Sequence, residues 1–254
     1  MALITTAAVV LHAFKYSESS KIVRLATREI GVQSAIAKGA MRPKSRFGAR
    51  LQVLSEGMAQ LYVKHNRELQ TLAEFDATRQ HAELAHDVRR YATATALAEL
   101  ILRLTPDEPN PLIFDYLVDA LDRLGRVPGD RLEPQALAIL WGAVGLLGFA
   151  PALDGCAHDG RSIPDGAAAF SIPDGGFLCR ACAAAQPDAT KLEAKDRARL
   201  ELLVSGTVDE IDPIPPRHAA AHRRLLARFV ERHMSEGREL RSLTLWETLL
   251  WQDT

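Results

Sequence analysis

Three cysteines are spaced as metal ligands would be. Twenty-two residues separate Cys156 from the pair Cys179-x-x-Cys182. A C-x-x-C turn aims two thiolates at one ion, and Zn2+ takes four N, S or O donors in a tetrahedron. The segment Cys156-Ala-His-Asp-Gly160 offers two candidates for the fourth donor. Asp159 repeats the spacing of the second pair. His158 is chemically the better zinc ligand, but its two-residue spacing suits such a turn less well. Three thiolates and either group would close the coordination sphere, so the expected Zn2+ is structural and leaves no open position for catalysis. A redox role for the pair is disfavoured, because no strand–helix context of the thioredoxin kind surrounds Cys179.

The segment K-G-A-M-R-P-K-S-R-F-G-A-R carries Lys38, Arg42, Lys44, Arg46 and Arg50 with no acidic residue, and Phe47 lies among them. Such a loop suits a phosphate backbone, from which cations release counterions, and an aromatic ring could stack on a base. Lys15, Lys21 and Arg24, with Lys64 and Arg67, extend the positive face if the fold brings them round. The charge distribution agrees. Residues 1–80 hold 12 Lys and Arg against 6 Asp and Glu, and the remainder holds 19 against 26, although the net charge is only −1. A basic end of this kind is expected to meet a polyanion.

A third cluster, His218, His222, Arg223, Arg224 and Arg228, contains histidines at i and i+4. Without an H-E-x-x-H arrangement it reads as a solvated basic face. The sequence has no G-x-S-x-G, no P-loop and no G-x-G-x-x-G after a strand, and acidic residues do not cluster as a two-metal nuclease needs. No enzymatic activity is expected.

The elements that must position these residues differ along the chain. Ala7–His12, Lys21–Thr27, Val32–Lys38, Leu51–Lys64 and Leu69–Phe75 read as strands bounded by turn formers. Ala59, Leu61 and Val63 alternate with Gln60, Tyr62 and Lys64, and Gly57 suggests a bulge or sharp bend. Five short strands with no helix between them point to a small barrel of the OB type over residues 1–80. From residue 81 the period becomes 3.6. Leu84, Val88, Tyr91, Thr95, Ala98, Ile101 and Leu102 mark the apolar stripe of a helix ending near Pro106. Leu112–Leu124 follows behind Pro111, with Gly125 just past its end. A third helix, from Glu133–Pro134 to Gly148, is apolar almost all round and reads as the centre of a bundle. Residues 151–187, with all three cysteines, form an inserted loop. Helical signals resume at Lys191–Val204 and Arg217–Met234, and the tail Leu240–Trp251 docks on the bundle. The fold class is α+β: an OB barrel, then a helical domain over 81–254 that carries a zinc-finger-like insertion.

Composition bounds the class. With 47% apolar and 25% charged residues the chain is an ordinary globular protein. Three cysteines leave one unpaired in any disulfide framework, and Met1–Val10 carries no Lys or Arg as a signal peptide would. The apolar run Ala136–Ala150 is short for a membrane span and is interrupted by Gly142, Gly145 and Gly148. A cytoplasmic protein is expected.

The order of these parts resembles the RecO family of bacterial recombination mediators. The stretch Ala7–Gly31, which contains A-V-V-L-H-A-F-K-Y-S-E-S-S-K, looks like the first hairpin of that family's OB domain. A-K-G-A-M-R-P-K-S, Ala37–Ser45, looks like its next strand and basic loop. L-G-F-A-P-A-L-D-G-C, Leu147–Cys156, resembles the helix end that leads into the zinc loop. F-V-E-R-H, Phe229–His233, and L-R-S, Leu240–Ser242, resemble its closing helix and tail. The resemblance implies binding of single- and double-stranded DNA and annealing of complementary strands. It also implies contact with RecR and with the C-terminal tail of single-stranded-DNA-binding protein (SSB). The implied outcome is help in loading RecA, with RecF as a further indirect partner, in the nucleoid. The Arg217–Arg232 helix is a candidate basic rim for the acidic tail. The family's zinc motif is C-x-x-C…C-x-x-C, and here Asp159 stands where its second cysteine would be. The rival readings are a non-catalytic protein scaffold whose basic loop is incidental and, more remotely, a zinc hydrolase.

Overall fold

The computed structural model describes residues 2–64, 66–105, 108–207, 209, 211, 213–237, 239–249 and 251. By compactness the chain divides into two units, residues 1–126 and 127–254.

In the first unit five strands close into a barrel: β1 (Ala2–Lys15), β2 (Lys21–Thr27), β3 (Gly31–Ala37), β4 (Glu56–Val63) and β5 (Leu69–Arg79), in the order β1-β2-β3-β5-β4. All pairings are antiparallel except β3 with β5, and β4 closes on β1, which is the OB-fold connectivity. The barrel is narrow because alternate inward positions are small. Ala8, Ala35, Ala37 and Ala59 share its core with Val10, Val23, Leu25, Leu61, Leu72 and Phe75. β1 spans 14 residues and pairs with β4 along its first half and β2 along its second. A register shift between Val10 and His12 bends it from one to the other.

Gly57 meets the expectation of irregular pairing. The β4–β5 register shifts beside it, and a Cβ there would lie 2.1 Å from the Asp76 carbonyl oxygen. Gly57→Ala is therefore expected to destabilise the barrel by about 1–3 kcal/mol. An unchanged urea midpoint would show that β4 and β5 can move apart at no cost.

The expected strand Leu51–Lys64 begins late. Leu51–Leu54 form a turn behind a short 3-10 helix at Gly48–Arg50, because Leu54 takes a left-handed φ of 71° that no extended run accommodates. Two helices complete the unit, α1 (Val88–Leu104) and α2 (Pro111–Arg126). The Pro106 stop expected for α1 lies outside the described residues. Pro111 opens α2 as expected, but Gly125 falls inside its last turn. Of the expected apolar stripe Leu84, Ala98 and Ile101 are buried, but its members at the start of α1 are not. Val88 and Tyr91 are exposed, and the buried face is built on Ala92, Ala94, Ala96, Leu97, Ala98, Leu100 and Ile101. α1 contacts β1, β2 and α2, and alanines let it approach all three.

In the second unit α3 (Leu132–Leu146) is the buried centre, packed on α5 (Ala194–Ser205) and α6 (Pro216–His233). The short α7 (Arg241–Thr248) lies against α6. Trp141 of α3 meets Phe229 of α6 edge to face at 5.2 Å. The inserted segment is more than a loop. β6 (Ala168–Ser171), β7 (Gly176–Leu178) and β8 (Thr190–Leu192) form a sheet in the order β7-β6-β8, with the one-turn α4 (Arg180–Ala184) between β7 and β8. No described helix is long and apolar enough to cross a membrane.

Candidate nucleic-acid interface and metal centre

The basic loop is held from beneath. The Met41 N–H donates to the Ser19 carbonyl at 3.0 Å, and Ser45 N–H donates to the Arg42 carbonyl at 3.0 Å. Ala40, Phe47 and Leu51 are buried in the barrel core. Phe47, only 1% exposed, is therefore a plug and not the base-stacking ring expected from sequence. The Arg46 guanidinium lies over its ring at 5.2 Å. With the apolar members anchored, Lys38, Arg42, Lys44, Arg46 and Arg50 all face solvent.

Strand register places the others. Lys15 pairs with Lys21 and Lys21 with Ala37, so Lys15, Lys21 and Lys38 stand together at the loop's end of the barrel. Arg24 pairs with Ser34 on the outer β2–β3 face. There a groove of about 960 Å³ joins it to Lys64 and Arg67 of the β4–β5 turn, with Glu68 and Glu108 also lining it. Buried Gln70 fixes that turn: its side-chain oxygen accepts from Lys64 N–H at 2.9 Å, and its amide donates to the Lys64 carbonyl at 3.2 Å.

None of these ten cations has a carboxylate within 4.0 Å among the described residues. Elsewhere in the same unit arginines are paired: Arg28 with Asp115, Arg79 with Asp122 and Glu83, Arg89 with Asp87, Arg126 with Asp122. Exposed aromatics do stand at this end, namely Phe14 at 43% and Tyr16 at 58%. The sequence reading missed both. Tyr16, directly behind Lys15 in a Ser-rich turn, was the available signal.

The metal-site residues converge. One ligand atom from each of Cys156, Asp159, Cys179 and Cys182 lies within 4.8 Å of the others. Local structure makes this possible. Cys156–Asp159 form a turn closed by Gly160 N–H donating to the Cys156 carbonyl at 2.8 Å, with Gly160 left-handed at φ 74°. Cys179 caps α4, which brings Cys182 back beside it. At Gly176 a Cβ would sit 2.2 Å from the Ala152 carbonyl oxygen, so only glycine lets β7 approach the segment at Ala152 that leads to Cys156.

Asp159 is the carboxylate that faces the thiols, with Cys182 Sγ at 3.3 Å and Cys179 Sγ at 3.6 Å. Hydrogen bonds from Cys156 and from the Arg161 N–H hold it down to about 2. Burial and the surrounding thiols and carboxylate push Cys182 up to about 12, while the Cys182 N–H lowers Cys179. His158 points elsewhere. Its Nδ1 lies 2.9 Å from Asp174, which is also bonded by Ser171 and Gln186. Of the two fourth donors left open by spacing, the structure brings Asp159 to the cysteines. A tetrahedral zinc with bonds of about 2.3 Å needs sulfurs about 3.8 Å apart, so this set fits a metal ion.

The third cluster is only partly a solvated face. Arg224 and Arg228 are exposed, but His222 and Arg223 are buried. Arg223 pairs with Glu133 and lies over the Trp251 ring. His218 Nδ1 lies 2.7 Å from Asp196, which leaves no open histidine pair for a metal. Burial lowers His222 to about 4. Between that value and about 6.5 the unfolded chain binds a proton that the folded one refuses, so stability is lost as pH falls through this window. The expected loss is up to about 3 kcal/mol, and His222→Gln should remove it. Equal urea midpoints for the wild type at pH 7 and pH 5 would refute this.

Residues 1–81 match the family described as "Recombination protein O N terminal", and residues 85–243 match "Recombination protein O C terminal". The chain is 34% identical over 236 residues to the DNA repair protein RecO of Anaeromyxobacter sp. (strain K), covering 91% of each chain. It is 33% identical over 238 residues to the protein of the same name from Rubrobacter xylanophilus, covering 92% of each. Against that of Nocardioides sp. the identity is 29% over 233 residues, covering 91% of this chain and 94% of the relative. The two family models together span most of the chain, its barrel falling in the first and its helices and cysteine insertion chiefly in the second, and the chain belongs to the RecO family of DNA repair proteins.

Proposed function

We propose that the protein is a non-catalytic mediator that binds single- and double-stranded DNA by its backbone and anneals complementary strands. With RecR it helps load RecA onto SSB-coated DNA, and RecF takes part indirectly. The observation that carries the reading is the set of unpaired cations on one end and the adjoining face of the barrel. Unpaired lysines and arginines cost no ion pair when they turn to phosphate, and each phosphate neutralised releases counterions. Phosphate contacts position a strand without reading its sequence. Annealing follows where two strands are neutralised on one surface, since their mutual repulsion is a main obstacle to pairing. Phe14 and Tyr16 supply rings on which bases of a single strand can stack.

The barrel serves as the DNA domain over residues 1–80, and the helical domain over 81–254 serves protein partners. Between α6 and α7 a cavity of about 490 Å³ is lined by Arg224, Arg228, Leu240 and Leu243, and also by Glu231, Glu239 and Glu247. The two exposed arginines of α6 are the cations offered to the acidic, apolar-ended SSB tail, and the three glutamates beside them weaken that fit. The cysteine set holds a structural Zn2+ that pins the insertion at 151–187, and the protein works in the cytoplasm at the nucleoid.

The test is fluorescence anisotropy of a labelled 30-mer single strand at low and high salt. Tight binding that weakens steeply with salt is expected, with annealing assays next. Absence of binding at low salt would overturn the reading and favour the scaffold.

A further inference from the structure

A second cavity, of about 620 Å³, opens at the loop's end of the barrel, lined by Lys21, Gln52, Gln80, His81, His86 and Tyr91. Its position follows from the chain. Leu51 on its wall directly follows Arg50 of the basic loop, and Lys21 stands in register with Lys15. Its far side is the start of α1, where Tyr91 is 41% exposed although the helical period would have buried it.

Two further observations mark it as more than a surface dimple. Leu54 and His81, both in its wall, hold left-handed backbone at φ 71° and 48°. Such strain in residues other than glycine persists only where the surroundings enforce it, and it gathers at binding sites. His81 is 3% exposed, and both its ring nitrogens are buried without a hydrogen-bond partner. Glu56 stands 3.4 Å from Nε2 and Glu83 3.6 Å from Nδ1, within ion-pair distance but without the alignment of a hydrogen bond. Burial lowers the His81 pKa, and the ring, which has no exposed surface, is part of the wall and not a contact for a ligand.

We propose that this cavity receives one unpaired nucleobase of a single strand whose phosphates lie on Lys15, Lys21 and Arg50. The inference rests on the DNA-binding reading above. The lining fits a base in three ways. Tyr91 offers a ring face for stacking. The Gln52 and Gln80 amides each present a donor and an acceptor, as base edges do. Lys21 supplies a single cation at the side where the backbone would run. The volume lies within the range of small-ligand sites. A duplex cannot enter without breaking a base pair, so the cavity gives a preference for single strands that the basic loop alone cannot.

The test measures binding of a dT 30-mer and of a blunt 30-base-pair duplex by anisotropy across salt. Tyr91→Ala is expected to lose about fivefold or more on the single strand, with the salt slope unchanged and duplex affinity kept within about twofold. Ala85→Trp, which fills the cavity from an exposed position in the 3-10 helix Ala82–His86 ahead of α1, should give the same selective loss. A 30-mer carrying 5-iododeoxyuridine should photocrosslink to Tyr91 or His86 of the wild type, a readout that needs no variant. Wild-type single-strand affinity in both variants, equal losses on duplex, or crosslinks confined to Tyr16 and the basic loop would each overturn the inference while leaving DNA binding intact. A wild type that binds neither DNA would instead overturn the functional reading itself.

Discussion

Reversing three charges together, Arg42→Glu, Lys44→Glu and Arg46→Glu, is expected to cut single-strand affinity about 100-fold at low salt. The plot of log affinity against log salt should flatten by about two, since each phosphate contact on a single strand contributes about 0.7 to that slope. The fold should survive. All three side chains are exposed and unpaired, and the loop is anchored by Ala40, Phe47 and Leu51 and by the Met41–Ser19 hydrogen bond. Arg126→Glu is the matched control, because that guanidinium already faces Asp122 at 3.3 Å and sits on α2, away from the loop in sequence. It should change affinity by less than about threefold. Salt-dependent anisotropy, with circular dichroism to verify folding, decides the matter. Unchanged affinity and slope in the triple variant would move the DNA site off this loop.

The barrel was legible because its signal is local. Alternation in Ala59–Lys64, the glycine at 57 and the turn formers between runs each mark a strand edge without knowledge of the rest. The same locality misled at two aromatics. Phe47 sits in a basic, polar stretch and so reads as an exposed ring. Only the closed barrel shows that its end needs a plug, and Phe47 fills it beside Leu51. Tyr91 falls on a helical apolar period and so reads as core, yet α1 buries its alanines against three neighbours and turns Tyr91 outward. Small residues carry little weight in a hydrophobicity pattern and much weight where helices and strands approach closely.

The metal set was legible in its cysteines and open in its fourth member. Ligand spacing along the chain left Asp159 and His158 as alternatives. What separates them is a contact distant in sequence, the hydrogen bond that takes His158 to Asp174 in the turn between β6 and β7. The pairing of β6 and β7 that creates this contact comes from runs of four and three residues, too short for a periodic signal.

The second large effect concerns that site. Protein purified in the presence of zinc is expected to hold one equivalent per chain, and Cys179→Ser with Cys182→Ser is expected to hold none. Structural zinc sites contribute about 10–16 kcal/mol of apparent binding free energy at neutral pH, so the loss should unfold the insertion locally. Limited proteolysis would then cut between about residues 151 and 190, where the wild type resists, while DNA affinity on the barrel changes by less than about twofold. Three thiols must shed protons to bind the ion, so zinc should be released as pH falls and retained as it rises. Asp159→Ala should weaken zinc about 10- to 100-fold or more, and Asp159→Cys should tighten it by completing a four-thiolate set. His158→Ala should leave the metal in place, because His158 is engaged with Asp174. Elemental analysis of the wild type and the four variants separates the outcomes. Zinc retained by Asp159→Ala and lost from His158→Ala would reverse the ligand assignment. A wild type free of zinc after loading would show that the four groups form a reduced thiol–carboxylate cluster that holds no metal.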